Sequence, residues 1–268
     1  PPQWFIRIDE PLADGRTLRE TALESIEATA FPPPIAQNRI RTMVESRPDW
    51  LISRQRAWGA PLAMFVDKET NHPLHDEAVN QRIIELIAKE GADAWFTRPV
   101  TDFLGAHDPD RYEKVEDILD VWFDSGATHA FVLEGREHTR WPADLYLEGS
   151  DQHRGWFQSS LLESSGTRGR APYDAIMSHG FVMDENGEKM SKSKGNVLGP
   201  EKVIKDSGAE ILRLWAAMVD YSEDTRIGKT ILATTTDAFR KLRNTLRYLL
   251  GALGGFSEEE RVELGDMP

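Results

Sequence analysis

Apolar residues fall at helical spacing in some stretches of the chain and in short unbroken runs in others. WFIRI (4–8) is strand-like. From Thr17 to Thr29, Leu18, Ala22 and Ile26 recur four residues apart, which predicts a helix ended by Pro32-Pro33-Pro34. LAMFVD (62–67) reads as a strand. DEAVNQRIIELIAKEG reads as a helix with Val79, Ile83, Leu86 and Ile87 on one face and Gly91 as its stop. Between about Ala143 and Asp206, DLYLEG and AIMSHGFVMD are apolar runs bounded by Gly and polar residues. RGWFQSSLLESSG between them has helical spacing through Trp156, Leu161 and Leu162. Strand, helix and strand in that order predict a βαβ unit on a parallel sheet, with its ligand site beyond the carboxyl ends of the strands. EGSDQ (148–152) follows the first strand, and HGF (179–181) lies inside the second.

From Ala209 the pattern turns helical. ILRLWAAMV is one helix; KTILATTTDAFRKLRNTLRYLLGALGG is a longer one ending at Gly254-Gly255. Phe239, Leu242, Leu246, Leu249 and Leu253 make an apolar stripe, with Arg240, Arg243 and Arg247 on the opposite side. Two readings stand for that basic face: the solvated side of a bundle helix, or a contact with RNA. No repeat or low-complexity segment interrupts the chain.

Charge and composition narrow the class. The 32 Lys and Arg against 45 Asp and Glu give a formal charge of −13, and 40% hydrophobic residues mark a globular chain with enough length, at 268 residues, for a sizeable core. The acidic balance argues against a general nucleic-acid coat protein. No run reaches the roughly 18 to 20 apolar residues of a membrane helix, and the start PPQWFIRIDE lacks the order of a signal peptide; a soluble, cytoplasmic protein without membrane partners is expected. The absence of cysteine excludes disulfides, thiolate metal sites and a Cys nucleophile. Pro1-Pro2 at one end and Asp266-Met267-Pro268 at the other suggest a piece excised from a longer protein.

The densest polar signal is Glu188-Lys189-Met190-Ser191-Lys192-Ser193-Lys194-Gly195-Asn196. Three ammonium groups, two hydroxyls and a glycine suit a polyphosphate, whose charge is spread over many oxygens. As composition alone, such a run is more often a solvated loop. It is not the GxxxxGKS/T phosphate loop.

The order of residues says more than the composition. KMSKS (189–193) resembles the second signature of class I aminoacyl-tRNA synthetases. WLISRQRAWG (50–59), DVWFDSG (120–126), YLEGSDQHRGWF (146–157) and HGFV (179–182) resemble the isoleucyl-tRNA synthetase family, from about Gln3 to Phe256. The valyl, leucyl and methionyl families share KMSKS but not the DQHRGWF block. Leu51 stands where many members have Cys, and no HxGH, the family's first signature, occurs in the chain. The bulk of the editing domain, the distal anticodon region and the C-terminal zinc cysteines also lack counterparts.

The resemblance implies an α/β fold: the C-terminal half of a class I nucleotide-binding, Rossmann-like domain followed by an α-helical region. It divides the chain into a segment joining the editing insertion to the catalytic domain (1–50), a connective part (51–142), the second half of the nucleotide-binding fold with the KMSKS loop (143–206), and a stem-contact region opening the anticodon-binding bundle (207–268). It implies ATP-dependent activation of isoleucine and transfer to tRNA(Ile), with ATP and Mg2+ as substrate, no cysteine-bound metal, and a monomeric parent. A chain without HxGH is expected to be inactive alone.

Carried onto this sequence, Lys189 and Lys192 meet the leaving pyrophosphate, Lys192 foremost. Glu148, Gly149, Asp151, Gln152, His179, Gly180, Met190, Ser191 and Ser193 hold ATP or the adenylate, and Trp122 and Trp156 wall the isoleucine pocket. Read without the family, Glu148 to Gln152 form a solvated turn with an Asp cap, His179 is a structural histidine, and each Trp is core. Arg54 and Arg56 are tRNA contacts or surface ion pairs. Two rival functions remain: a binding module without chemistry that uses the basic helix, and another class I enzyme, the valyl one foremost.

Overall fold

Thr17 opens the first helix as the spacing predicts. Its hydroxyl accepts from the Glu20 backbone N–H while the Glu20 carboxylate accepts from the Thr17 N–H, a reciprocal cap. In this computed structural model, which describes residues 2–12 and 14–267, helix α1 (Leu18–Ala28) buries Leu18, Ala22 and Ile26. The three prolines are followed at once by a second helix, α2 (Ile35–Glu45), whose Ala36, Ile40 and Val44 are buried. Strand β1 (Phe5–Ile6) pairs antiparallel with β2 (Trp50–Leu51), so the predicted strand WFIRI contributes only two ladder residues. Strand β3 (Ser53–Arg54) follows.

A satellite of the fold occupies the next stretch. Strand β4 (Phe65–Asp67) leads to α3 (Glu77–Glu90), α4 (Ala94–Thr97), α5 (Thr101–Leu104), β5 (Tyr112–Lys114) and β6 (Ile118–Leu119). β4 pairs with β5 and β3 with β6, both antiparallel. Asp76 caps α3 through the Ala78 and Val79 N–H groups, and Gly91 ends it at φ 88°. The satellite has its own core, in which the rings of Phe65, Trp95 and Phe103 lie 5.1 to 6.2 Å apart. Lys114 closes it by laying its ammonium over Trp95 and Phe103 and donating to the carbonyls of Trp95 and Arg98.

The βαβ unit forms where it is predicted. After α6 (Val121–Gly126) and a π-helical stretch (His129–Glu134) come β7 (Tyr146–Gly149), α7 (Trp156–Arg168) and β8 (Ile176–His179). β7 and β8 are paired, with a parallel bridge at Ala143–Tyr173, and Ala30 adds a parallel bridge to Ala175 on the other side of β8. α7 is buried without a break from Phe157 to Ser165. Parallel sheets need cover on their faces, and α7 supplies it together with α1. The main core joins Ile8, Leu18, Ile26, Ile40, Tyr146, Phe157, Leu161, Tyr173 and Ile176.

These elements form one compact unit, up to Ser178; a second begins at His179. In it the predicted strand AIMSHGFVMD resumes, after a break at Gly180-Phe181, as β9 (Val182–Met183). Then follow α8 (Pro200–Ser207), α9 (Ala209–Met218), β10 (Thr225–Arg226), parallel to β9, and α10 (Lys229–Ala252). Val203, Ile211, Trp215, Ile227 and Leu232 make its core. The apolar stripe on α10 exists as a stripe, yet Leu242, Leu246, Leu249 and Leu253 are exposed.

Candidate functional site

In the first unit, the carboxyl end of β7 delivers Glu148 and Gly149 to a 3-10 turn, Ser150–His153, which carries Asp151 and Gln152. Gln152 faces inward along the chain: its side-chain oxygen accepts from the Trp156 N–H at 3.0 Å and its amide donates to Asp151 at 3.1 Å. The start of α7, which has no side-chain cap of its own at Gly155, is therefore capped by Gln152. His153 is buried, its Nδ1 donates to the Ser150 carbonyl at 2.6 Å, and burial pushes its pKa down.

Trp156 stacks on Tyr146 with ring centroids 4.1 Å apart and planes 10° from parallel, so one face of the indole belongs to the core. Trp122, on α6, is 42% exposed. Its ring lies over Gly155, where a Cβ would come within 2.8 Å of two indole carbons and 2.6 Å of the Gln152 oxygen. Trp122, Gln152 and Trp156 thus converge on Gly155. α6 is held from behind by Asp120, which caps it at the Trp122 N–H and is buried. Asp120 also accepts from Trp50 Nε1 at 3.2 Å and pairs with Arg54 at 3.0 Å. Arg54 also donates to the carbonyls of Leu51 and Ser53.

Behind this surface, α6 and α7 meet across a polar seam. Gly126 abuts the Glu163 carboxyl so closely that a side chain at 126 would require that carboxyl to move. Its carbonyl accepts from Ser160 and meets His129 Nδ1. One Glu163 oxygen and His129 Nε2 are buried without a hydrogen-bond partner among the described residues. Burial, with Asp124 nearby, raises the Glu163 pKa to about 9; burial first and Asp120 second raise that of Asp124, and burial lowers that of His129. At neutral pH Glu163 is a neutral acid.

The second unit carries His179, Gly180 and the KMSKS loop. Gly180 lies against the Glu223–Asp224 backbone with no space for a Cβ, and its N–H donates to the Tyr221 carbonyl. His179 Nδ1 is 2.8 Å from the Gly180 carbonyl oxygen. In the loop, Lys189, Lys192 and Ser193 are exposed, while Met190 turns inward: its sulfur accepts from the Leu198 N–H and it packs on the core of this unit. Ser191 and Ser193 hydroxyls lie 3.2 Å apart. Lys194 pairs with Glu188, whereas Lys189 and Lys192 have no salt-bridge partner among the described residues.

On α10, Arg240, Arg243 and Arg247 are exposed, with Arg240 paired to Asp237 at 3.2 Å. No group of three His, Asp or Glu placed to hold a metal ion occurs among the described residues, and no helix there is long and apolar enough to cross a membrane. Asp120, Gly155, Asp184 and Asn196 all lie in stretches quoted from the sequence, but none of them is assigned a role there.

The family model for class I tRNA synthetases (I, L, M and V) matches residues 1–228. The chain belongs to this family. Among curated relatives, the isoleucine–tRNA ligase of Caulobacter vibrioides is 73% identical over 97% of the chain, and those of Mesorhizobium japonicum and Zymomonas mobilis are 60% and 59% identical over all of it. The chain spans only 27% to 29% of the length of these class I relatives. The fold of a LeuRS–tRNA–LeuAMS complex from Agrobacterium radiobacter is similar, with a TM-score of 0.60 at 20% identity over 80% of this chain and 30% of that one. So is that of Mycobacterium tuberculosis methionyl-tRNA synthetase bound by methionyl-adenylate, at 0.55 and 19% over 87% and 36%.

Proposed function

We propose that the chain is the KMSKS-bearing part of an isoleucine–tRNA ligase of the cytoplasm. The observation that carries this reading is 73% identity, over nearly the whole chain, to a ligase of that specificity. The proposed reaction has two steps. An isoleucine carboxylate oxygen attacks the α-phosphorus of Mg·ATP, the bond to the β-phosphate oxygen breaks, and pyrophosphate leaves; a hydroxyl of the terminal ribose of tRNA(Ile) then attacks the activated carbonyl and AMP leaves. Neither step uses a protein nucleophile, which fits a chain without cysteine. The protein contributes positioning and charge.

In this reading Lys189 and Lys192, exposed and without salt-bridge partners among the described residues, receive the charge that develops on pyrophosphate. Glu148, Gly149, Asp151, His179 and Gly180 hold the adenylate, and Ser191 and Ser193 add hydroxyl donors to the phosphates. Gln152 keeps the start of α7 in register, and Met190 anchors the loop to its own unit. Trp122 and the face of Trp156 turned away from Tyr146 close on the branched side chain of isoleucine. Residues 1–50 join the editing insertion to the catalytic domain, 51–142 connect, 143–206 complete the nucleotide fold, and 207–268 meet the tRNA stem and open the anticodon bundle, with Arg240, Arg243 and Arg247 toward tRNA.

The test is amino-acid-dependent ATP–pyrophosphate exchange by the full-length protein that contains this chain. Isoleucine is expected to give the highest specificity constant among isoleucine, valine, leucine and methionine; a higher value for valine would transfer the chain to a valine enzyme. This chain alone, freed of host synthetase, is expected to give no exchange above background.

A further inference from the structure

The KMSKS loop is tied down by a residue outside the signature. Asn196 uses its whole amide: Oδ1 accepts from the Ser191 N–H at 2.9 Å, and Nδ2 donates to Asp184 Oδ2 at 2.8 Å and to the Lys189 carbonyl at 3.3 Å. The partners fix the orientation, because a carboxylate and a carbonyl only accept and a backbone N–H only donates. Asp184 is itself built in. Its other oxygen accepts from the Asn186 and Glu188 N–H groups at 3.0 and 2.8 Å, and its own N–H donates to the Glu188 carbonyl at 2.9 Å. That closes a tight hairpin whose arms bridge at Met183 and Lys189. Its carboxyl pKa lies below the ordinary range, chiefly through the Asn196 amide.

We propose that Asn196, through Asp184, is the positioning residue of the KMSKS loop: it clamps residues 189–191 to the 184–188 hairpin, so that Lys189 and Lys192 stand in place before a polyphosphate arrives. This rests on the pyrophosphate role assigned to those lysines above. Asn196 touches no substrate. Its effect is to remove the ordering cost that two lysines on a loose loop would otherwise bear at the moment of reaction. Lys194, drawn aside to Glu188, leaves Lys189 and Lys192 as the two ammonium groups the clamp presents.

The test uses the full-length ligase and three variants: Asn196→Ala, Asn196→Asp, and Asn196→Asp combined with Asp184→Asn. Asn196→Ala loses all three side-chain bonds, and Asn196→Asp sets one carboxylate against another. The double variant restores the bridge with donor and acceptor exchanged, since the amide then at position 184 can donate to the carboxylate then at position 196 and still accept from the N–H groups of residues 186 and 188. In pyrophosphate exchange, kcat is expected to fall about tenfold or more in both single variants, with the KM for isoleucine little changed, and to recover most of that loss in the double variant. Deuterium exchange is expected to speed up in residues 189–194 of the single variants and nowhere else. Unchanged exchange in that segment, or a double variant no better than Asn196→Asp, overturns the clamp. A parent enzyme without isoleucine-dependent exchange overturns the ligase reading instead, while deuterium exchange still decides the clamp.

Discussion

The indole of Trp122 rests on Gly155, close enough that a methyl group at 155 would sit 2.8 Å from two ring carbons. A ring on one helix is thus seated by a missing side chain at the start of another. Gly155→Ala in the full-length enzyme is expected to push the indole outward at an overpacking cost of about 1–3 kcal/mol. Valine, being smaller, should suffer less than isoleucine, so the isoleucine-to-valine ratio of specificity constants is expected to fall. Exchange assays with both amino acids, beside a melting curve, check this; an unchanged ratio removes Trp122 from the pocket.

Asp120 is the second support of that ring. Asp120→Ala removes the α6 cap, unpairs Arg54 and leaves the Trp50 N–H buried, a loss on the order of 2–4 kcal/mol. Asp120→Asn keeps an acceptor for the cap and should recover part of it. Urea unfolding of the two variants measures the difference.

The buried acid on α7 gives stability a pH dependence of definite sign. The ordinary Glu pKa is 4.5, and Glu163 in the folded chain titrates at about 9. Between those values the unfolded chain has lost the proton that the folded chain keeps, so raising the pH favours unfolding, and this contribution falls across the window. Glu163→Gln removes the titration. Its unfolding free energy is expected to vary less from pH 5.5 to 8.5 and to exceed the parent's at the alkaline end by on the order of 1–3 kcal/mol. Parallel pH slopes for parent and variant would show that Glu163 ionises normally.

Lys192→Ala in the full-length enzyme is expected to slow adenylate formation by roughly 10² to 10³, about 3–4 kcal/mol, while isoleucine binding changes little. A cation that meets charge developing on the leaving group acts more on the transition state than on the bound substrate. Stopped-flow measurement separates the two; an unchanged rate constant with only a higher KM for ATP would make Lys192 a binding residue.

What is legible in the sequence follows from how each element is stabilised. α1, α3 and α7 carry caps or stripes that depend on neighbouring residues, and each forms within a few positions of its predicted span. α2 escapes the pattern because three prolines dominate its start and its apolar residues, Ala36, Ile40 and Val44, make a narrow stripe in a charged run. Strands of two residues, such as β1 and β9, have no alternation to display. In the site, motif residues are recognisable by their order. Glu163 is invisible in the sequence because its burial comes from tertiary packing, in which Gly126, 37 residues earlier, lies against its carboxyl. Asn196 is hidden for a like reason: its partner Asp184 lies 12 residues away, across a hairpin.

The seam between α6 and α7 restricts how this protein can drift. Gly126 cannot gain a side chain unless the Glu163 carboxyl moves, and truncating the buried Glu163 would leave a void between the helices. Only a replacement of like size at 163, such as Glu163→Gln, keeps the fit. Changes at the two positions are expected to be coupled, so that the two helices diversify together.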